Sequence, residues 1–420
     1  AVFDAATVVV HHGPNERSLS VHRVSRFFKA AACAIPALAL APVGTPAADQ
    51  PPLKIGVVIS YTGPSAVSGQ EWDDTVKLFQ KQHGDTIAGR KIEFIKRDTG
   101  GPSPDVAKRL ATELVTQDKV DMIVGIDYTP TAVGVGTVST QAKKPVFIMN
   151  AATAGILKNA PYMVRFGYVT SQNDAPLGAW AAKNKIRSVY MLYADYAPGI
   201  DASAAFAKAF TAGGGKVIGE IKTPITTSEY SSYVQRIKDA KPDAVFIFVP
   251  LGPTSQQFMR AWSDAGMAKS GIKLLGDGSV TDETAIDGLG DTAIGMITSY
   301  PYSEAHPSKE NQDFVKAFAQ LNGTKVRPDL FAAFTWDLLT GMYRVIGQQG
   351  GKVDPDKTIE LVRGMRFNGP RGPLTIDPST RDPIQNIYIR RVEKRNGKLW
   401  NVEFETIPMV KPPEVSGGTT

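Results

Sequence analysis

Three threonines, Thr129, Thr131 and Thr153, stand in two short turns of similar composition. Tyr128-Thr129-Pro130-Thr131 follows the apolar run 121–124, and Asn150-Ala151-Ala152-Thr153 follows the apolar run 145–149. Hydroxyls, small side chains and uncommitted backbone N–H groups in such places suit one chemistry, the capture of an anion, a carboxylate above all. Thr129 can equally cap a helix, and Pro130 suits a first helical turn, where a missing N–H costs nothing. The threonines can therefore serve a ligand or only the helix. Asp98, Asp127, Asp195 and Asp277 occupy similar junctions, where the turn preference of aspartate accounts for them as caps.

Other chemistries lack their residues. The single cysteine, Cys33, lies near the N-terminus, so the rest of the chain has neither a disulfide nor a thiol nucleophile. Beyond residue 48 the only histidines are His83 and His306, each in a polar stretch. There is no H-E-x-x-H, C-x-x-C, P-loop or G-x-S-x-G pattern. Gly134-Val135-Gly136-Thr137-Val138-Ser139 lacks the third glycine of a dinucleotide fingerprint and falls inside a helix. The expectation is a binding protein: no enzyme, no metal and no cofactor.

The two turns need elements to hold them. Residues 121–124 and 145–149 read as short buried parallel strands, with Ala132, Val133, Val135 and Val138 carrying a helix between them. In open α/β sheets the ligand crevice lies beyond the carboxyl ends of the strands. The alternation extends both ways. Upstream are strands at 53–59 and 91–98, each followed by an amphipathic helix, with a flexible turn at 61–69. Downstream of a crossing near 165–173, strands at 188–194, 216–221, 244–249, 273–276 and 294–300 alternate with helices, one of them stopped by Gly213-Gly214-Gly215. A second crossing is expected at 301–307, then two helices, the longer over 330–347 and apolar on most sides. A third is expected at the turn-rich 368–373, then a β-hairpin of 387–392 with 399–404. The predicted fold is α/β, with two doubly wound parallel-sheet lobes joined by three crossings. Lobe 1 would hold 53–168 and 303–372, lobe 2 would hold 169–302 and 373–408, and 409–420 would be a disordered tail.

Composition agrees with this. The 420 residues exceed one ordinary domain, and 42% hydrophobic content supports a sizeable core. The net charge of +6 is spread singly, which argues for solubility and against nucleic-acid binding. Residues 1–48 read as an export leader. Arg17, Arg23, Arg26 and Lys29 precede the small-residue apolar stretch 30–41, and cleavage is expected near Ala47-Ala48. No other stretch is long and apolar enough to span a bilayer.

Four stretches together resemble a known family. "LKIGVVISYTGPSAVSG" (53–69), the turn at 151–154, the loop 193–199 and the loop Gly276-Asp277-Gly278-Ser279 are similar to type I periplasmic binding proteins of the branched-chain amino-acid family. The cadence of 213–248 is similar too, and the likeness runs from about 53 to 408. The resemblance implies a monomeric periplasmic receptor that closes like a clamshell on a small solute and hands it to an inner-membrane ABC permease. A soluble sensory co-receptor would share the fold. By resemblance, Thr129 falls on the family's carboxylate-binding serine, with Thr131 close by. Ala151 and Thr153 fall on its small-residue turn, and Tyr196 on its second-lobe tyrosine. Tyr61, Tyr128 and Ser68 complete the candidate set. Two positions depart from the family: Thr170 replaces an aspartate, and Gly278 replaces the glutamate that meets an ammonium, with Asp277 adjacent. Two solutes stay open. One is an amino acid or analogue met by Asp277, the other an aromatic or aliphatic carboxylic acid without an ammonium.

Overall fold

The computed structural model describes residues 50–63, 65–250 and 253–412. The leader, its cleavage site and residues 413–420 of the expected tail lie outside them.

Apolar runs become the strands of two sheets. The first sheet holds β1 (Leu53–Ile59), β2 (Thr86–Ile87), β3 (Arg90–Asp98), β4 (Met122–Gly125), β5 (Val146–Ile148) and β6 (Met163–Arg165), in the order β2-β3-β1-β4-β5-β6. The strands from β3 to β6 in that order pair in parallel, which requires the crossover helices α1 (Ala66–His83), α2 (Pro104–Thr116) and α3 (Thr129–Ala142). Both faces are covered, so β1, β4 and β5 are buried almost throughout.

After α4 (Thr170–Lys183) the pattern repeats. The second sheet holds β7 (Ser188–Ala194), β8 (Lys216–Thr223), β9 (Ala244–Phe248), β10 (Lys273–Asp277) and β11 (Ile297–Tyr300), all in parallel pairs. Helices α5 (Ala197–Ala212), α6 (Ser231–Ala240) and α7 (Pro253–Asp264) connect them. The chain then returns to the first sheet. There α8 (Lys309–Asn322) and α9 (Leu330–Gln348) pack on α1, and α10 (Pro355–Val362) packs on α9. Leu330, Phe334, Leu338, Met342 and Val345 of α9 share one core with Leu53, Ile55, Val57 and Phe147.

The end of the chain differs from expectation. Residues 368–373 are the tip of a hairpin between β12 (Arg366–Gly369) and β13 (Gly372–Ile376), not a crossing. Backbone geometry explains it: Gly372 has φ +91, and a Cβ at Gly369 would lie 1.8 Å from Asp337 Oδ1. The hairpin pairs with the second sheet through β14 (Pro383–Arg395), yet Phe367, Leu374 and Ile376 join the first sheet's core. The crossing is β14 itself. Its start pairs with β13, and its later residues 388–391 pair antiparallel with β11. The expected closing hairpin is present and longer, because β15 runs Lys398–Val410. Residues 409 and 410 thus belong to a strand and not to the tail.

Arg371, at the hairpin tip and 1% exposed, ties the crossings together. Its guanidinium donates to Asp337 Oδ2 (2.6 Å), to the Gly167 carbonyl (2.7 Å), to Gln385 Oε1 (2.6 Å) and to the Phe166 carbonyl.

Candidate functional site

The carboxyl ends of the parallel strands converge on a cavity. From the first sheet come Ser65 after β1, Asp127, Tyr128 and Thr129 after β4, and Asn150 and Ala152 after β5. From the second come Tyr196 after β7, Phe248 at the end of β9 with Val249 and Pro250 beyond it, and Ser279 after β10. Tyr168 of the first crossing and Phe331 of α9 complete the aromatic wall.

Two helices begin at this cavity. Tyr128 is the N-cap residue of α3 and Tyr196 that of α5, and neither helix receives a side-chain cap bond. Each has a proline in its first turn, Pro130 and Pro198. The remaining first-turn N–H groups are left for something else to accept. No lysine or arginine is among the lining residues. Positive potential at the site therefore comes from helix ends and backbone N–H groups, which suits a carboxylate without fixing a second charge.

Buried polar contacts hold the walls. Asp127 Oδ2 accepts from Ser60 N (3.2 Å) and Ser68 Oγ (3.0 Å), and Oδ1 accepts from Tyr128 N (3.1 Å). Burial still raises its pKa above the usual carboxylate range. Tyr128 O–H bonds Ser65 Oγ across the turn. Burial likewise pushes the Tyr128 and Tyr196 phenols up, so both remain neutral hydroxyls.

The expected residues divide. Tyr128, Thr129 and Tyr196 line the cavity. Thr129 is inside the helix rather than its cap, and its Oγ1 donates to Thr153 Oγ1 at 2.9 Å. Thr153 borders a neighbouring groove with Thr129 and stands behind it here. The remaining candidates are not among the lining residues. Thr131 is fully buried in α3, its Oγ1 without a partner among the described residues. Ala151 spends its N–H on the Asp127 carbonyl (3.1 Å), and its φ of 40 turns the chain so that Ala152 lines the cavity instead. Thr170 N donates to the Ala152 carbonyl (3.0 Å), a tie between the turn and α4. Ser68 supports Asp127 from behind. Tyr61 O–H donates to Asp73 (3.2 Å), with Lys96 over its ring. Asp98 accepts from Tyr61 N (2.8 Å) and holds this turn, so Ser65 reaches the cavity in its place.

Asp277 is a loop cap. It is fully buried, Oδ1 accepts from Ser279 N (2.8 Å), and Oδ2 accepts from Asn173 Nδ2 (2.6 Å). Asp174 lies beside it. Burial first and the Asp277 charge second hold the Asp174 carboxyl well above its usual pKa. The position before Ser279 has no room for a side chain, since a Cβ on Gly278 would lie 2.2 Å from Tyr300 Cγ.

Sequence reasoning passed over Ser65, Asn150, Ala152, Tyr168, Phe248, Ser279 and Phe331. The first three and Ser279 lie in turns it had marked, next to the residues it chose. Phe331 has no local signal, because only packing of α9 brings it to β4 and β5.

A family model described as periplasmic binding protein matches residues 52–398. The Leu/Ile/Val-binding protein homolog 6 of Brucella melitensis is 36% identical over 374 residues, 89% of this chain and 96% of that protein. A solute-binding protein of an ABC transporter from Rhodopseudomonas palustris BisB5, solved with 3,4-dihydroxybenzoic acid, is 44% identical with a TM-score of 0.83, over 86% of this chain and 98% of that one. Its counterpart from Rhodopseudomonas palustris HaA2, solved with p-hydroxybenzoic acid, is 36% identical with a TM-score of 0.83, over the same shares. With a matching two-sheet fold and a cavity at the strand ends of both sheets, this chain belongs to the periplasmic binding protein family.

Proposed function

We propose that this chain is the periplasmic receptor of an ABC importer for an aromatic carboxylic acid without an ammonium. The observation that carries the choice is the state of Asp277. Both its oxygens are taken inside the protein, and Tyr300 fills the space a side chain at position 278 would need. Asp127, the acidic residue among those lining the cavity, already accepts from Ser60 N, Ser68 Oγ and Tyr128 N, so an ammonium in this crevice would lack an uncommitted carboxylate, and a buried unpaired cation is strongly unfavourable. The aromatic wall of Tyr128, Tyr168, Tyr196, Phe248 and Phe331 suits a flat ring, and two helix ends suit its carboxylate. The benzoic acids bound by the two Rhodopseudomonas proteins support this reading. The name of the Brucella relatives favours the amino-acid alternative.

The receptor acts without catalysis. Among the described residues no group of acidic, histidine or cysteine side chains can hold a metal. None of the described helices is long and apolar enough to cross a membrane. Export by the leader, cleavage near Ala47-Ala48 and a monomeric state belong to the same proposal. A thermal-shift screen of benzoic acids, short aliphatic acids and the branched-chain amino acids tests it. A rise in melting temperature with benzoic acids is expected, and a rise confined to the amino acids would overturn the assignment.

A further inference from the structure

Asn150, a residue of the cavity wall, carries a buried polar atom with no partner among the described residues. Asn150 Nδ2 donates to the Asp127 carbonyl at 2.9 Å, which fixes the orientation of the amide. Its Oδ1 is buried and has no partner among the described residues, although Asn150 lines the cavity. On the opposite wall Ser279 Oγ is also buried, beside the Asp277 carboxylate. The serine hydroxyl can donate or accept, so many ligands satisfy it. The amide oxygen can only accept. An ionised carboxylate offers acceptors alone and cannot serve it.

We infer that Asn150 reads a hydrogen-bond donor on the ligand's ring, which makes the site selective for hydroxylated aromatic acids over their unsubstituted parents. The inference rests on the aromatic-acid reading above and goes beyond it in naming the discriminating residue and the group it recognises. A phenolic O–H brings one donor and no charge. An ammonium brings a charge that needs a free carboxylate, and both nearby ones are committed, Asp277 to Asn173 and Ser279 and the lining Asp127 to Ser60, Ser68 and Tyr128. Selectivity follows from asymmetry. A site built to bond a hydroxyl rejects the analogue lacking it, since the buried acceptor then stays unpaired. The loss expected from one neutral bond of this kind is about tenfold or more in Kd.

Calorimetric titration of the leaderless chain with benzoate, 3-hydroxybenzoate, 4-hydroxybenzoate and the two methoxybenzoates tests this. At least one hydroxybenzoate should bind about tenfold tighter than benzoate, and its methyl ether, which keeps the oxygen but loses the donor, should bind no tighter than benzoate. In Asn150→Leu the ratio of hydroxybenzoate to benzoate affinity should fall to about threefold or less. The methyl ethers make the same test on the unaltered protein and do not depend on the variant folding. Benzoate binding as tightly as every hydroxybenzoate would overturn the inference and leave the aromatic-acid reading intact. A preference that survives in folded Asn150→Leu would overturn the role of Asn150. Failure of all these acids to bind would overturn the underlying reading, and this inference with it.

Discussion

Thr129, expected at an anion site, borders the cavity from inside a helix. It is the first residue of α3, and its hydroxyl proton goes to Thr153 Oγ1. The oxygen therefore faces a ligand chiefly as part of a polarised turn, with first-turn N–H groups beside it. A neutral hydrogen bond such as the one to Thr153 contributes about 0.5–1.5 kcal/mol. Thr129→Val keeps the shape but removes the oxygen that donates to Thr153 Oγ1 and accepts from Thr153 N, so the turn loses its tie and carboxylate affinity should fall by about twofold to tenfold, as calorimetry would show; an unchanged Kd in a folded variant would remove Thr129 from the site. The same local chemistry explains what could be read from sequence at this scale. Tyr128, Thr129 and Tyr196 stand at strand-to-helix junctions, where a residue's role follows from its neighbours in the chain. Ala151 and Ala152 are indistinguishable in composition, and only the φ of 40 at Ala151 decides which one faces the ligand. Asp277 likewise depends on Asn173 and Ser279 for its assignment, and Asn173 is 104 positions away.

At the scale of elements, buried parallel strands are legible because both faces are covered, so β1, β7 and β9 read as continuous apolar runs. The hairpin β12–β13 was not legible. Its Gly-Pro-Arg-Gly tip looks like a linker, and its hairpin character depends on Asp337 and Tyr388 from other elements packing against the two glycines. Element ends also set a pH response. Glu71 of α1 accepts from Asp329 N (3.1 Å) and Ala332 N (2.8 Å) at the start of α9, and Asp282 and Glu283 from the loop after β10 face the same spot. Burial raises the carboxyls of Glu71 and Asp329 well above their usual range and that of Asp282 to about 6. For these groups the folded state binds more protons than the unfolded one. Their stabilising protonation is complete below the unfolded pKa of about 4 and is lost as pH rises. For Asp282 the window is from 3.8 to about 6, and it extends higher for the other two. The melting temperature should fall as pH rises from about 4 towards neutral, in opposition to the paired carboxylates elsewhere. Asp282→Asn keeps Oδ1 as acceptor for Thr284 N and Ala285 N, so it should flatten part of that slope. A melting profile identical to wild type across that range would contradict this.

At the scale of the molecule, three passages of chain connect the two sheets, and Arg371 bonds the first passage and β14 at once. Breaking a buried ion pair by removing one partner costs about 3–5 kcal/mol. Arg371→Met should therefore lower the urea midpoint markedly, and a midpoint within error of wild type would deny the arginine that role. The cavity draws its walls from both sheets, so a ligand that touches both favours the closed arrangement. Small-angle scattering should show a smaller radius of gyration with ligand than without, and an unchanged radius at saturating ligand would count against hinge closure. The central claim is that the solute is an aromatic acid with no ammonium to balance. Calorimetric titration of 4-hydroxybenzoate and of leucine into the wild type and into Asp277→Asn tests it most directly. 4-Hydroxybenzoate should bind the wild type, leucine should not, and Asp277→Asn should bind the acid as well or better, since a nearby negative charge is gone. Leucine binding to the wild type, abolished in Asp277→Asn, would contradict it.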